Sequence, residues 1–174
     1  MTALEDRRPP YGIHVRPRRE KRLPAAARAG TFAPMKFLHL NFLPRSADVG
    51  LLLLRLWFGG TMLWLHGWMK ATNFSAMTQQ FADPFGIGKT PTVVLAIFAE
   101  LVCAGLLALG LFTRFAALML TITMASAFYF GHGAKLTGMG NDGELAFLFL
   151  GAFVALFVAG GGKYSVDAKI GAKV

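Results

Sequence analysis

The chain has 174 residues, of which 55% are hydrophobic and only 16% are charged, whereas a soluble domain carries about a quarter charged residues. This composition excludes an ordinary soluble globular protein and indicates an integral membrane protein with a formal net charge of +9. The single cysteine, Cys103, excludes an internal disulfide, a CxxC redox pair and a metal site built from cysteines alone.

Residues 1–34 carry eight Lys and Arg against three Asp and Glu, and they show no hydrophobic periodicity. We expect a disordered basic extension, either natural or the product of an upstream start, because Met35 opens a plausible alternative start. Few aromatic residues stand among the cations, so nucleic acid is not an expected partner. The basic charge beside an apolar body indicates contact with anionic lipid. The membrane domain is predicted over 35–174.

Four apolar stretches follow, each close to the ~17–25 residues that a helix needs to cross a hydrocarbon core of ~30 Å. They are 49–69, 92–112, 115–132 and 144–161. Backbone groups find no water inside a bilayer, so helices are expected there. The sequence therefore predicts an all-α fold, an integral membrane bundle of four transmembrane helices.

The cations outside the spans are concentrated on one side of the predicted bundle. That side holds the basic extension together with Lys36, Arg45, Arg114, Lys163, Lys169 and Lys173. The opposite side holds Lys70, Lys89 and Lys135. Because cytoplasmic loops carry the excess of Lys and Arg, we expect both termini to be cytoplasmic in a bacterial-type inner membrane.

Arg55 and His66 lie in the first span, although a bilayer makes such groups costly. They are eleven residues apart, about three helical turns, and so share one face that continues to Lys70. The second span carries Glu100, at an axial distance of roughly 8–10 Å from Arg55. We expect Arg55 and Glu100 to form a buried polar pair, which serves either a functional site or helix register alone.

His66, His132 and Glu144 are predicted to lie at one depth near the outer rim. Such a cluster could bind a quinone headgroup and relay its protons, or it could be satisfied by water and loop carbonyls. Axial haem ligation by the two histidines is disfavoured, because haem ligands usually lie within the core. No metal centre is predicted.

Trp64, Trp68 and Tyr129 stand near this predicted rim. They are better explained as interfacial anchors than as residues that stack on a cofactor. Small residues in the spans are expected to permit close helix approach. They are Gly59, Gly60, Ala104, Gly105, Ala108, Gly151 and Ala155.

Three stretches resemble, in order and spacing, the DoxX family of small four-span membrane proteins, over roughly 45–168. They are "LLLRLWFGGTMLWLHGWMK", "AIFAELVCAGLLALGLFTRFAALML" and "DGELAFLFLGAFVALFVAGGGKYSVD". The family pattern has an early Arg, a His-Gly pair, an Ala-Glu pair, a turn ending in Thr-Arg and a Ser-x-Asp ending. Here these fall on Arg55, His66–Gly67, Ala99–Glu100, Gly110–Arg114 and Gly162–Asp167.

The resemblance implies membrane-bound redox work, since some relatives are described as subunits of a thiosulfate:quinone oxidoreductase. The implied partners are the lipid bilayer, an oxidoreductase subunit or soluble redox enzyme, and a second copy of the chain. A rival hypothesis is a non-enzymatic scaffold that recruits a soluble oxidoreductase or stress-response enzyme. A small-solute transporter is disfavoured, because the four spans show no broken helices or inverted repeats.

Overall fold

The computed structural model describes residues 46–136 and 143–171, and the extension predicted over 1–34 lies outside them. The chain divides into two units, Met1–Pro44 and Arg45–Val174, and the described residues belong to the second. The helices found there are α1 Ala47–Thr72, α2 Phe74–Gln80, α3 Lys89–Leu109, α4 Thr113–Gly131, α5 Glu144–Ala159 and α6 Val166–Lys169. The predicted all-α fold is confirmed for this part of the chain.

Three helices are long and apolar enough to cross a membrane: α1 with 26 residues, α3 with 21 and α4 with 19. At 1.5 Å per residue they extend roughly 28–39 Å, which matches the ~30 Å hydrocarbon core. They correspond to the predicted spans 49–69, 92–112 and 115–132. Helix α5 covers most of the predicted span 144–161, but its 16 residues fall short of the ~20 that spanning usually takes.

The four long helices pack as a ring, in which α1 and α4 each contact both α3 and α5. Their inward faces form one core that includes Met62, Cys103, Leu107, Leu120, Phe153 and Leu156. Large apolar side chains such as Trp57, Leu53 and Val158 lie on the outside and are more than half exposed. An apolar exterior of this kind suits lipid rather than water.

Helices α1 and α3 touch through their backbones at two glycines. A Cβ atom on Gly59 would lie 3.0 Å from the Ala104 carbonyl oxygen, and one on Gly67 only 2.4 Å from the Glu100 carbonyl oxygen. The close approach predicted at Gly59 is therefore confirmed. The same prediction is wrong for Gly60 and Gly151, because no described atom lies within 4 Å of a Cβ added at either position.

Candidate functional site

Glu100 pairs with Lys70 and not with Arg55. The Lys70 ammonium donates a hydrogen bond to Glu100 Oε2, and the two side chains are only 16% and 4% exposed. Both belong to the interior of the described bundle, so the pair is shielded from its surroundings. A buried ion pair of this kind loses much of its hydration, and each partner depends on the other for compensation.

The prediction that Arg55 pairs with Glu100 is wrong, because α1 and α3 are shifted relative to each other along their axes. Glu100 stands eleven residues into α3, yet it faces Gly67, which is only five residues from the end of α1. Lys70 is then one turn from the crossing point, whereas Arg55 is twelve residues away, or roughly 18 Å along the helix. The predicted axial distance holds only if the ends of both helices lie at one level, and they do not.

A cavity of about 600 Å³ lies beside this ion pair, between α3, α4 and the loop that precedes α3. Its polar lining includes Lys70, Glu100 and His132, together with Gln80, Thr92, Thr123 and Ser126. Its apolar lining includes Phe81, Phe85, Leu95, Phe98, Met119, Ile122 and Phe130. A mainly apolar cavity with a few polar groups is the usual form of a small-molecule site.

His132 contributes an imidazole to the cavity lining. The residue directly follows α4, and its Nδ1 is buried without a hydrogen-bond partner in the part of the chain that the structure describes. A neutral imidazole can donate from one ring nitrogen and accept at the other. The cavity therefore brings together an ammonium, a carboxylate and an imidazole.

The loop before α3 is fixed to that helix by Asp83. The Asp83 carboxylate accepts hydrogen bonds from the backbone N–H groups of Ile87 and Gly88, at 3.1 and 2.8 Å, and from the Thr92 hydroxyl at 3.3 Å. In the same loop Phe85 meets Phe130 of α4 edge to face, with ring centroids 5.9 Å apart. The loop thus covers the cavity at the beginning of α3.

The predicted rim cluster is only partly assembled. His66 is half-buried, meets Phe149 edge to face at 5.8 Å, and is close enough to Lys70 and Glu100 to interact with their charges. Glu144 is exposed at the first residue of α5. No hydrogen bond joins His66, His132 and Glu144 to one another across 46–136 and 143–171. Of the three, His132 alone lines the cavity.

The three aromatic residues proposed as weak cofactor contacts lie on the outer surface. Trp64 and Trp68 stack in parallel with ring centroids 6.1 Å apart, and both are exposed, as is Tyr129. None of them lines the cavity. Their positions fit interfacial anchors, which place an amphipathic ring at the edge of a bilayer.

A second polar arrangement, the C-terminal clasp, joins Val166–Lys169 to the α3–α4 turn. The Asp167 carboxylate accepts hydrogen bonds from the backbone N–H groups of Phe112 and Thr113 at 2.8 Å each, and from the Thr113 hydroxyl at 2.7 Å. The Asp167 N–H in turn donates to the Gly110 carbonyl oxygen at 2.9 Å. These bonds hold Phe112 in a left-handed conformation, with φ of 48°, that a bulky residue rarely adopts.

Arg55 belongs to this clasp. It is fully buried, and its guanidinium lies so close to Gly110 that a Cβ there would overlap it. Its nitrogens make no hydrogen bond within the described residues, and Asp167 supplies the opposing charge. Burial would raise the pKa of Asp167, but the hydrogen bonds from Thr113 and Phe112 and the charge of Arg55 together lower that pKa below its ordinary value.

Sequence reasoning missed two of the residues that organise these sites. Lys70 was counted as an extension of the Arg55–His66 face and as a loop cation, although its position four residues after His66 put it beside any partner of that face. Asp167 was noted only within a family motif. Its signal is local: Ser165 caps α6, and an Asp follows in the first turn.

Three helices of spanning length, an apolar exterior and ionic groups turned inward define a polytopic integral membrane protein. The DoxX family model matches residues 50–133, which include Arg55, Lys70 and Glu100. The chain belongs to the DoxX family, as its motifs indicate.

The chain is also similar to two curated proteins. An uncharacterized protein of Haemophilus influenzae is 35% identical over 112 residues, which cover 62% of this chain and 81% of the relative. A second uncharacterized protein of the same bacterium is 30% identical over 110 residues, covering 61% and 72%. No solved structure matches the chain.

Proposed function

We propose that this chain is a redox-associated subunit of an oxidoreductase complex in a bacterial-type inner membrane, and that it binds a quinone in the cavity between α3 and α4. The observation that carries the proposal is the Lys70–Glu100 pair, which lines a mainly apolar cavity together with His132. A quinone has a flat apolar ring with carbonyl oxygens that accept hydrogen bonds. The cavity volume of about 600 Å³ lies within the range of small-molecule sites.

The three polar groups complement both oxidation states of such a ligand. Lys70 and the imidazole of His132 can donate to the carbonyl oxygens of the oxidised ring. The ionised carboxylate of Glu100 only accepts, so it suits the hydroxyl groups of the reduced ring. Apolar walls strengthen these bonds, because the local dielectric is low.

His66 and Glu144 fit a supporting role in proton exchange. His66 lies one turn from Lys70 along α1, is half-buried, and interacts with the charges of Lys70 and Glu100. Glu144 is exposed and can reach water. Arg55, in contrast, is enclosed by the C-terminal clasp, so we propose that it fastens the bundle and does not contact the quinone.

Topology is the other part of the proposal: α5 crosses the membrane and both termini are cytoplasmic. The excess of cations at the N-terminal side, the α3–α4 turn and the C-terminus supports this orientation. Fusing green fluorescent protein or alkaline phosphatase to the C-terminus tests it. We expect the green fluorescent protein fusion to fluoresce and the alkaline phosphatase fusion to be inactive. A dark first fusion and an active second one would contradict the orientation.

Quinone binding is tested by titrating decylubiquinone into the full-length protein in lipid nanodiscs, with calorimetric detection. We expect saturable binding that Glu100→Gln weakens about tenfold, because the Lys70 ammonium then loses the partner that positions it to donate to the quinone carbonyl, and a hydrogen bond to a charged group contributes about 1.5–3 kcal/mol. Asp48→Asn is the matched control, because it removes a carboxylate outside the cavity. If the wild-type protein binds no quinone but co-purifies with a soluble oxidoreductase, the scaffold hypothesis replaces this proposal.

A further inference from the structure

We infer that the cavity is loaded sideways from the bilayer and that it selects quinones with a long hydrocarbon tail, the tail passing between α3 and α4 into lipid. This inference rests on the proposed quinone function. It names the ligand class of the same site, and it follows from how the two helices separate and from which cavity residues reach the outer surface.

Helices α3 and α4 separate toward the beginning of α3. Their contacts are concentrated in Phe98–Cys103 and Ala104–Leu109, which pack directly on α4. The preceding segment Lys89–Ile97 contributes Leu95 and Ala96 to the cavity lining instead. The cavity therefore occupies the wedge that the two helices leave open.

The wedge reaches the outside of the bundle. Leu95, Phe98 and Ile122 all line the cavity, yet they are 56%, 42% and 50% exposed. We call these three residues the lateral portal. They belong to two helices of membrane-spanning length, so the medium they meet is lipid. A ligand in the cavity can thus extend an apolar tail past them without exposing it to water.

Access from the end of the bundle is covered. The loop with Phe81, Ala82, Pro84 and Phe85 lines that end of the cavity, and Phe85 rests against Phe130. Asp83 ties the loop to the beginning of α3 through backbone N–H groups. Water-soluble compounds lack an equally direct route, whereas a compound dissolved in the bilayer meets the lateral portal.

A paired binding experiment on the full-length protein in nanodiscs tests this inference. One ligand is decylubiquinone, and the other is the same dimethoxy-methyl-benzoquinone ring without its decyl tail. Ile122→Trp places an indole in the lateral portal, and Leu148→Trp is the matched control on α5, where the replaced side chain is 57% exposed and outside the cavity lining. Because all the proteins share one lipid, ligand partitioning cancels in the comparison.

We expect Ile122→Trp to weaken decylubiquinone binding about tenfold while changing the affinity for the tailless ring less than about twofold. Leu148→Trp should change neither. An unchanged affinity for the tailed ligand, or an equal loss for both ligands, overturns the inference while leaving the quinone site intact. If Ile122→Trp does not fold, Leu95→Trp blocks the opposite side of the portal and should give the same selectivity. If the wild-type protein binds neither quinone, the result contradicts the proposed function itself.

Discussion

Within residues 46–136 and 143–171 two buried carboxylates lie opposite cations, and their surroundings differ. Asp167 receives three hydrogen bonds from the α3–α4 turn and faces a fully buried arginine. Glu100 pairs with Lys70 beside a cavity. A carboxylate whose bonds are all made within the fold has little capacity left for a ligand. We therefore interpret Asp167 as a residue that stabilises the fold and Glu100 as a residue of a ligand site.

The largest effect expected is that of Asp167→Ala in the clasp. Removing the carboxylate leaves Arg55 buried without its opposing charge and frees the backbone of Phe112 and Thr113. Breaking a buried pair in this way typically costs about 3–5 kcal/mol. Thermal unfolding in detergent, followed by circular dichroism, measures the loss.

Asp48→Ala is the control for that variant. Its carboxylate accepts a hydrogen bond from the Lys163 N–H at 2.9 Å, at a less buried position. We expect a loss of about 1 kcal/mol. Equal losses in both variants would show that the clasp has no special role in fastening the bundle.

An effect of the same order as that of breaking the Lys70–Glu100 pair is expected for Gly67→Ala, at the crossing of α1 and α3. The new Cβ would lie 2.4 Å from the Glu100 carbonyl oxygen, so the helices must move apart. Overpacking of this kind costs about 1–3 kcal/mol, and it should also weaken quinone binding because Glu100 and Lys70 shift. Unfolding temperature and quinone affinity are measured on the same preparation.

Gly60→Ala gives the matched comparison in the same helix, at a glycine that makes no close contact with α3. No described atom lies within 4 Å of the added Cβ, so the substitution should be neutral or slightly stabilising, as alanine is favoured over glycine within helices. A loss as large as that of Gly67→Ala would contradict the helix crossing.

Replacing the whole Lys70–Glu100 pair should separate binding from stability. Glu100→Gln alone leaves Lys70 without its counter-ion, and we expect a loss of about 1.5–3 kcal/mol. The double variant Lys70→Met, Glu100→Leu should recover most of that stability, since apolar residues often replace a buried pair without loss. It should bind no quinone. Recovery of stability together with retained binding would show that the pair is structural only.

The smallest effect expected near neutral pH is the pH dependence of stability that the Asp167 carboxylate of the clasp contributes. Because the folded pKa of Asp167 is lowered below the unfolded value of about 3.9, its stabilisation is fully present above that value and is lost as the pH falls through the folded pKa. The stability difference between the wild type and Asp167→Asn should therefore be constant from pH 8 to pH 5. It should shrink only below about pH 4. Unfolding temperatures across that range provide the check.

Much of the fold could be predicted from the sequence because membrane helices are encoded locally. The lengths and apolar content of 49–69, 92–112 and 115–132 are enough to locate α1, α3 and α4 to within a few residues. The small residue Gly59 likewise marked a true helix contact. Helix α5 was located equally well, to within two residues of its end, but its 16 residues fall short of the usual spanning length.

The site could be predicted only in part, because its partners are set by tertiary geometry. Glu100 was identified correctly as a buried acid, but the stagger that brings it to Lys70 depends on backbone contact at Gly67. Asp167 can be recognised locally as a first-turn residue of α6, but its partners lie 54 and 55 positions earlier, and no local pattern identifies them. The cavity arises where two helices separate, and separation leaves no signature in hydropathy.

The most direct test of the account compares quinone content in three forms of the full-length protein purified from native membranes in mild detergent. Mass spectrometry would determine the quinone per folded chain in the wild type, Glu100→Gln and Asp167→Asn. We predict that the wild type and Asp167→Asn retain equal amounts per folded chain, and that Glu100→Gln loses most of its quinone. Equal retention in all three, or a loss confined to Asp167→Asn, would contradict the assignment of Glu100 to the site and Asp167 to the fastening.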